Sequence, residues 1–267
     1  MIKVITSVTN PTIKRTKLLY DKSSERKSAN EFVVEGMRET SRAFLAGYTL
    51  KYLIFNPYIT NIDQITQHFG VEILDKLLLE VNDPIYRKLA YREDQEGIIG
   101  VFQNKSHDVS QLSIESSNPI FLVVEASEKP GNIGAILRTA EAAGVDAVLL
   151  ADLKTDLYNP NILRSSVGAI FSLNIATGTA QEIINFLINN DINTYCAILN
   201  DTSVPYLDQN YLGRTAIVVG AEDEGLTHPW YDDRFKSIII PMKGKVDSLN
   251  VSVSAGIILF EALRQRT

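Results

Sequence analysis

The stretch PIFLVVEASEKPGNIGAILRTAEAAGVDAVLLA, residues 119–151, decides the fold class. Its opening, 119–126, is a continuous apolar run, as a strand covered on both faces would be. From Asn132 to Ala143 the period changes to that of a helix: Ile133, Ile136, Leu137, Ala140 and Ala143 share one face, and Arg138 points almost opposite. A second apolar run, 145–151, follows. Strand, helix and strand in succession argue for α/β architecture.

Working outward, the alternation continues. Toward the C-terminus, helices are expected at 162–168 and 181–188 and strands at 171–176, 194–199, 215–221 and 237–242, and the sequence ends in a helix at 252–266. Toward the N-terminus, strands are expected at 31–36, 49–55, 71–74 and 97–102, with helices at 37–46, 75–79 and 83–90. Residues 103–118 are polar, rich in Ser and Asn and without periodicity, which makes them the best linker. The reading is two α/β domains, 1–102 and 119–267.

Composition excludes several classes. Of 267 residues 45% are hydrophobic and 22% charged, so a packed core is expected. One cysteine, Cys196, rules out an internal disulfide and a cysteine-built zinc site. His68, His107 and His228 lack ligand spacing, and no metal is expected. The start has no apolar region of the secretory kind and no run of 18 apolar residues occurs, so a cytoplasmic protein without membrane spans is expected. The net charge of −6 counts against a general nucleic-acid binder, yet residues 1–30 carry seven Lys or Arg against two acids. That segment reads as a solvated, partly flexible basic terminus or as a phosphate-contacting arm.

Three motifs of the second domain carry chemistry. The first runs from Glu125 through Asn132, Gly134 and Arg138. It follows a strand and opens a helix, where Asn132 is placed to cap. Its glycines do not fit a nucleotide-phosphate loop, which sets aside a dinucleotide-dependent oxidoreductase. The second, Val218-Val-Gly220-Ala-Glu222-Asp-Glu-Gly225-Leu226, reads either as a tight turn with solvated acids or as a ligand loop at the end of a strand. The third, Ile240-Pro-Met242 through Ser248-Leu249-Asn250-Val-Ser252-Val-Ser254, ends a strand and enters the last helix. Val251, Val253, Ile257, Ile258, Leu259, Phe260, Ala262 and Leu263 cover most of that helix. A helix apolar nearly all round must be buried nearly all round, which motivates a homodimer.

Together these stretches resemble the SpoU, or TrmH-like, family of RNA ribose 2′-O-methyltransferases. The family pattern is N-x-G-x-x-x-R, then G-x-E-x-x-G-L, then I-P-M with S-L-N-V-S, all found here in order; alanine is usual where Ser254 stands. The first half is similar to the L30e-like substrate-binding domain often attached to this family. The resemblance implies a C-terminal domain with a deep trefoil knot and S-adenosyl-L-methionine as cofactor, bound by Gly220, Glu222, Gly225, Ile240, Met242, Ser248 and Leu249. It implies Asn132, Arg138, Glu222, Ser248 and Asn250 as active-site residues, in a homodimer with the site at the interface. RNA is the implied partner, ribosomal RNA favoured over transfer RNA. A catalytically inactive RNA-binding adaptor is the alternative of another class.

Overall fold

The computed structural model describes residues 2–90, 96–221, 224–245 and 248–267. Glu222, expected in the site, lies outside them. In chain order the elements are β1 (Lys3–Ile5), α1 (Pro11–Asp21), α2 (Ser23–Ala29), β2 (Glu31–Glu35), α3 (Met37–Leu45), β3 (Leu50–Phe55), α4 (Ile62–Phe69), β4 (Leu78–Val81), α5 (Asp83–Leu89) and β5 (Ile98–Gln103). Then come β6 (Ile120–Glu125), α6 (Pro130–Ala143), β7 (Ala147–Ala151), α7 (Pro160–Ser165), β8 (Ile175–Gly178), α8 (Ala180–Asn189), β9 (Asn193–Ala197), β10 (Val204–Pro205), β11 (Thr215–Val219), β12 (Lys236–Ile239) and α9 (Val251–Arg266). They form two compact units, Met1–Ser106 with Tyr158–Ser172, and His107–Leu157 with Leu173–Thr267.

The first unit holds a mixed sheet in the order β1-β4-β3-β5-β2. β4 runs parallel to β1 and β3, while β5 is antiparallel to β3 and β2. The third strand is not at 71–74. Val71 and Leu74 are 49% and 60% exposed, whereas Leu78, Leu79 and Val81 are buried in a strand that pairs with both its neighbours. Short apolar runs do not reveal their own register; the run that reaches the gap between β1 and β3 wins. The expected helix at 75–79 shrinks to one 3₁₀ turn, Asp75–Leu77, and α4 was not foreseen.

The basic segment is not a free arm. Ile13, Leu19 and Tyr20 of α1 are buried in the core with Val33, Ile54 and Tyr86. Arg26 is itself buried and donates to the carbonyls of Leu19 (2.6 Å) and Tyr20 (3.0 Å). A cation there satisfies acceptors that the end of α1 leaves open. Arg15 pairs with Glu31 at 2.7 Å and Lys17 with Asp21 at 3.3 Å, while Lys3, Lys14, Lys22 and Lys27 stay exposed.

Residues 158–172 also differ from the reading of 119–267 as one continuous domain. They pack with the first unit, where the Tyr158 ring stacks 4.1 Å from Phe32 and Phe171 lies 5.4 Å from Tyr48. The expected strand at 171–176 therefore begins only at Ile175, because Phe171 ends a 3₁₀ turn inside that aromatic cluster. The polar stretch 103–118 is likewise held at its centre: Val109 is buried in the second unit's core, and His107 Nδ1 sits 3.0 Å from the Ile175 carbonyl.

The second unit is built on a seven-stranded sheet, β10-β12-β9-β11-β6-β7-β8, parallel at every pairing. Its central strands β6, β7 and β11 are buried along their whole length and read as apolar runs because both faces are covered. β11 inserts between β6 and β9, and β12 lies beyond β9, so the loops after β9, β11 and β12 stand side by side on one edge. α9 packs on α6 and β11. Val251, Ala255, Ile258, Leu259 and Ala262 face inward. Its far end is tied down by Arg266, whose guanidinium donates to the carbonyls of Asn118 (2.8 Å), Tyr211 (3.0 Å) and Gly213. Each such charge-assisted bond contributes on the order of 1.5–3 kcal/mol. Val253 and Phe260, on the outward face, remain about half exposed, at 48% and 49%.

Candidate active site

In an open parallel sheet, loops at the carboxyl ends of the strands are where ligands bind. At that edge a cleft of about 400 Å³ opens beside β9 and β12. Ala197, Ile198 and Leu199 line it from the end of β9. Ile238 to Ile240 and Met242 line it from β12 and the loop beyond, and Ser248, Leu249 and Ser254 from the entry to α9. Its size suits a small-molecule ligand, and an apolar lining with few polar groups is the usual character of such sites. Four residues read from the sequence thus share one wall: Ile240, Met242, Ser248 and Leu249.

The turn after β11 is closed by two backbone hydrogen bonds, Ala221 N to Gly225 O at 3.1 Å and Gly225 N to Ala221 O at 2.9 Å. Gly225 sits at φ +68°, a region L side chains disfavour. Gly220 is needed for a different reason: a Cβ there would lie 2.2 Å from the Gly225 carbonyl carbon. Gly220, Ala221 and Gly225 are thus held against one another, and they follow β11 next to the end of β9 because those two strands are neighbours. Leu226, the last residue of the turn, packs in the same buried cluster as Ile198 of the cleft wall.

Asn250 brings the first and third motifs together. Its Oδ1 caps α9, accepting from Ser252 N at 3.0 Å and Ser252 Oγ at 2.6 Å. Its Nδ2 donates to Asn132 Oδ1 at 3.2 Å, across 118 residues of sequence. Asn132 is not the cap of α6: Lys129 holds that position, Pro130 opens the helix, and Asn132 lies in its first turn, where it meets Asn250. Proline is well suited to the first helical position because its missing N–H has no partner there anyway.

Arg138 is not part of this cluster. It is exposed on α6, six residues and so about 9 Å along the axis from Asn132, and it makes no hydrogen bond or ion pair with the described residues. The helical wheel foresaw that face, opposite the buried Ile133, Ile136, Leu137 and Ala140.

The sequence reading missed two features. The end of β9 was seen only as a strand, although the carboxyl-edge rule applies to it as to β11 and β12. The other is Glu125, fully buried at the end of β6, whose carboxylate accepts from Thr227 N at 2.8 Å and Thr227 Oγ1 at 2.5 Å. An acid closing an all-apolar strand was the available signal, since a buried carboxylate needs partners. Cys196, in β9, is a core residue, and burial pushes its thiol well above the usual range. Among the described residues no cluster of His, Cys, Asp or Glu is suited to hold a metal ion, and no helix is long and apolar enough to cross a membrane.

A parallel α/β unit with a cleft at the carboxyl edge of its sheet defines the class: residues 119–260 match the SpoU rRNA Methylase family, and the chain belongs to that family of RNA 2′-O-methyltransferases, which draw their methyl group from S-adenosylmethionine. Residues 10–100 match the MRM3-like substrate binding domain. A crystal structure of an RNA 2′-O ribose methyltransferase is 36% identical, with a TM-score of 0.83 over 98% of this chain and 99% of that one. The AdoMet-bound rRNA methyltransferase from Sinorhizobium meliloti is 26% identical, with a TM-score of 0.89 over 100% and 99% of the two chains. The 23S rRNA (guanosine-2′-O-)-methyltransferase RlmB of Escherichia coli K12 is 32% identical over 62% of this chain and 68% of its own length.

Proposed function

We propose that this chain transfers a methyl group to a ribose 2′-hydroxyl of ribosomal RNA, in the cytoplasm, as a homodimer whose active site is completed by the second copy. The observation that carries the reading is convergence. Residues from both ends of the third motif line one cleft, Asn250 beside them bonds Asn132 of the first, and the glycine turn follows β11 on the same edge of the sheet.

The cleft fits the donor. Ile240, Met242 and Leu249 offer apolar contact to an adenine ring, and Ser248 and the loop backbone offer hydrogen bonds; Gly220 and Gly225 join the proposed donor set through the turn after β11. Glu222, between the glycines, belongs to the same proposed set. S-adenosylmethionine, when bound, supplies a methyl on a sulfonium, a leaving group that departs neutral. The trefoil path implied by the family agrees with β11 inserting between β6 and β9.

What remains for the protein is positioning and charge. Asn132, Ser248 and Asn250 orient the ribose. Arginine does not give up its proton in proteins, so Arg138 serves as a cation that stabilises the developing alkoxide and grips the adjacent phosphate, while the hydroxyl proton passes to water. Its exposure on its own chain supports a reading in which it reaches the cleft of a second copy. The half-exposed Val253 and Phe260 give α9 an outward apolar face for that copy to cover. A covalent route through cysteine has no support, because Cys196 is buried and its thiol held protonated.

Ribosomal RNA is preferred over transfer RNA because the relatives are named for it and the first unit matches a substrate-binding domain. Mapping 2′-O-methylated positions in a deletion strain against wild type tests this. Loss of one ribosomal position supports it; loss confined to transfer RNA, or no loss at all, refutes it.

A further inference from the structure

We propose that Glu125 is a positioning residue for donor binding: through Thr227 its buried carboxylate fixes the glycine turn against the sheet and so holds the cleft in its binding shape. The proposal rests on the donor-cleft reading above. Glu125 ends β6, the strand next to β11, and is fully buried. Both of its oxygens are used by one residue, Thr227 N at 2.8 Å and Thr227 Oγ1 at 2.5 Å. Thr227 follows Leu226 directly, so the carboxylate anchors the exit of the turn whose entry is fixed at the end of β11.

Between these anchors the described residues of the turn are held to one another. Ala221 and Gly225 exchange two backbone hydrogen bonds, and Gly220 lies against Gly225 with no room for a Cβ. Leu226 is buried in the cluster that includes Ile198 and Trp230. Ile198 lines the cleft, and its N–H is held by the Ile238 carbonyl at 3.1 Å, another lining residue. A buried carboxylate with one chain segment as its partner is costly unless that segment stays in place. Loss of either half of the contact lets the turn and Leu226 shift, and the binding-competent fraction falls. Glu125 is also only seven residues before Asn132, so the same strand end launches the helix that carries Asn132 and Arg138.

The test is calorimetric titration with S-adenosylmethionine of wild type, Glu125→Gln, Thr227→Val and Thr227→Ser. Circular dichroism and melting curves establish that each is folded at the assay temperature. Thr227→Val keeps shape and backbone donor but removes the hydroxyl; Glu125→Gln turns an amide toward a donor. Both are expected to weaken donor binding about tenfold, in line with loss of a hydrogen bond to a charged group, and Thr227→Ser to bind like wild type. Should Glu125→Gln fail to fold, Thr227→Val decides. Lower melting temperatures with unchanged donor affinity would mean that the contact only stabilises the fold, and the proposal would fall. Wild type that takes up no donor would overturn the donor-cleft reading as well; wild-type binding with an equally tight Thr227→Val would overturn the clamp alone.

Discussion

Gly220→Ala is expected to bind S-adenosylmethionine about a hundredfold more weakly than wild type, a loss of roughly 2.7 kcal/mol. The new methyl would sit 2.2 Å from the Gly225 carbonyl carbon, 2.3 Å from its oxygen and 2.5 Å from Leu226 N. All three are backbone atoms, so no flexible side chain can swing aside, and the turn itself must open. Overpacking of this kind typically costs about 1–3 kcal/mol when the surroundings relax. Here relaxation means breaking the paired hydrogen bonds of Ala221 and Gly225, which shape the loop beside the cleft. Gly225→Ala meets no atom but is strained at φ +68°, and a smaller loss is expected. Calorimetry on the two variants checks this ordering; a Gly220→Ala protein with wild-type affinity would show that the turn does not shape the donor site.

Arg138→Ala should lower the single-turnover rate of RNA methylation by about 10²–10³ while leaving donor affinity within about twofold of wild type. Arg138 lies on the exposed face of α6, is not among the residues that line the cleft of its own chain, and contributes nothing to the core. Its value is confined to the moment when negative charge develops on the ribose oxygen. Arg138→Lys should recover only part of the rate, because an ammonium lacks the planar fork that engages a phosphate through two bonds. Rapid-quench assays with saturating donor separate the alternatives. Full activity in both variants would remove Arg138 from the mechanism.

Much of the second unit was legible in advance because strands covered on both faces write themselves as unbroken apolar runs. Residues 119–126, 194–199 and 215–221 correspond to β6, β9 and β11 to within two residues at each end. The amphipathic wheel of α6 also carried through, including Arg138 on its outer face. What was hidden was non-local. Nothing in Phe171 says that its ring joins Phe32 and Tyr48 rather than a strand, and nothing in Val71–Leu74 says that the sheet will choose Leu78–Val81. The basic N-terminus misled because charge dominates its composition, while Ile13, Leu19 and Tyr20 at helical spacing anchor it.

At the site, the motifs identified the loops but not their partners. Asn132 reads equally well as a cap, and only the fold shows Lys129 in that place and Asn250 opposite. Glu125 was visible as an acid closing an apolar strand, but its partner lies 102 positions away. The order β9-β11-β6 makes that meeting possible, since it sets the end of β6 beside the turn that follows β11. Local patterns cannot supply such an order; it comes from the topology of the whole sheet.

The most direct test of the account mixes two inactive proteins. Co-expressed, differently tagged Arg138→Ala and Gly220→Ala chains are purified through both tags and assayed for transfer of labelled methyl from S-adenosylmethionine to unmodified large-subunit ribosomal RNA, with digestion to nucleosides. A cleft completed by a second copy's guanidinium predicts that the mixed pair regains activity neither variant has alone, with the label on the ribose 2′-oxygen. Failure of the mixed pair to regain activity, or label found on a base, would contradict it.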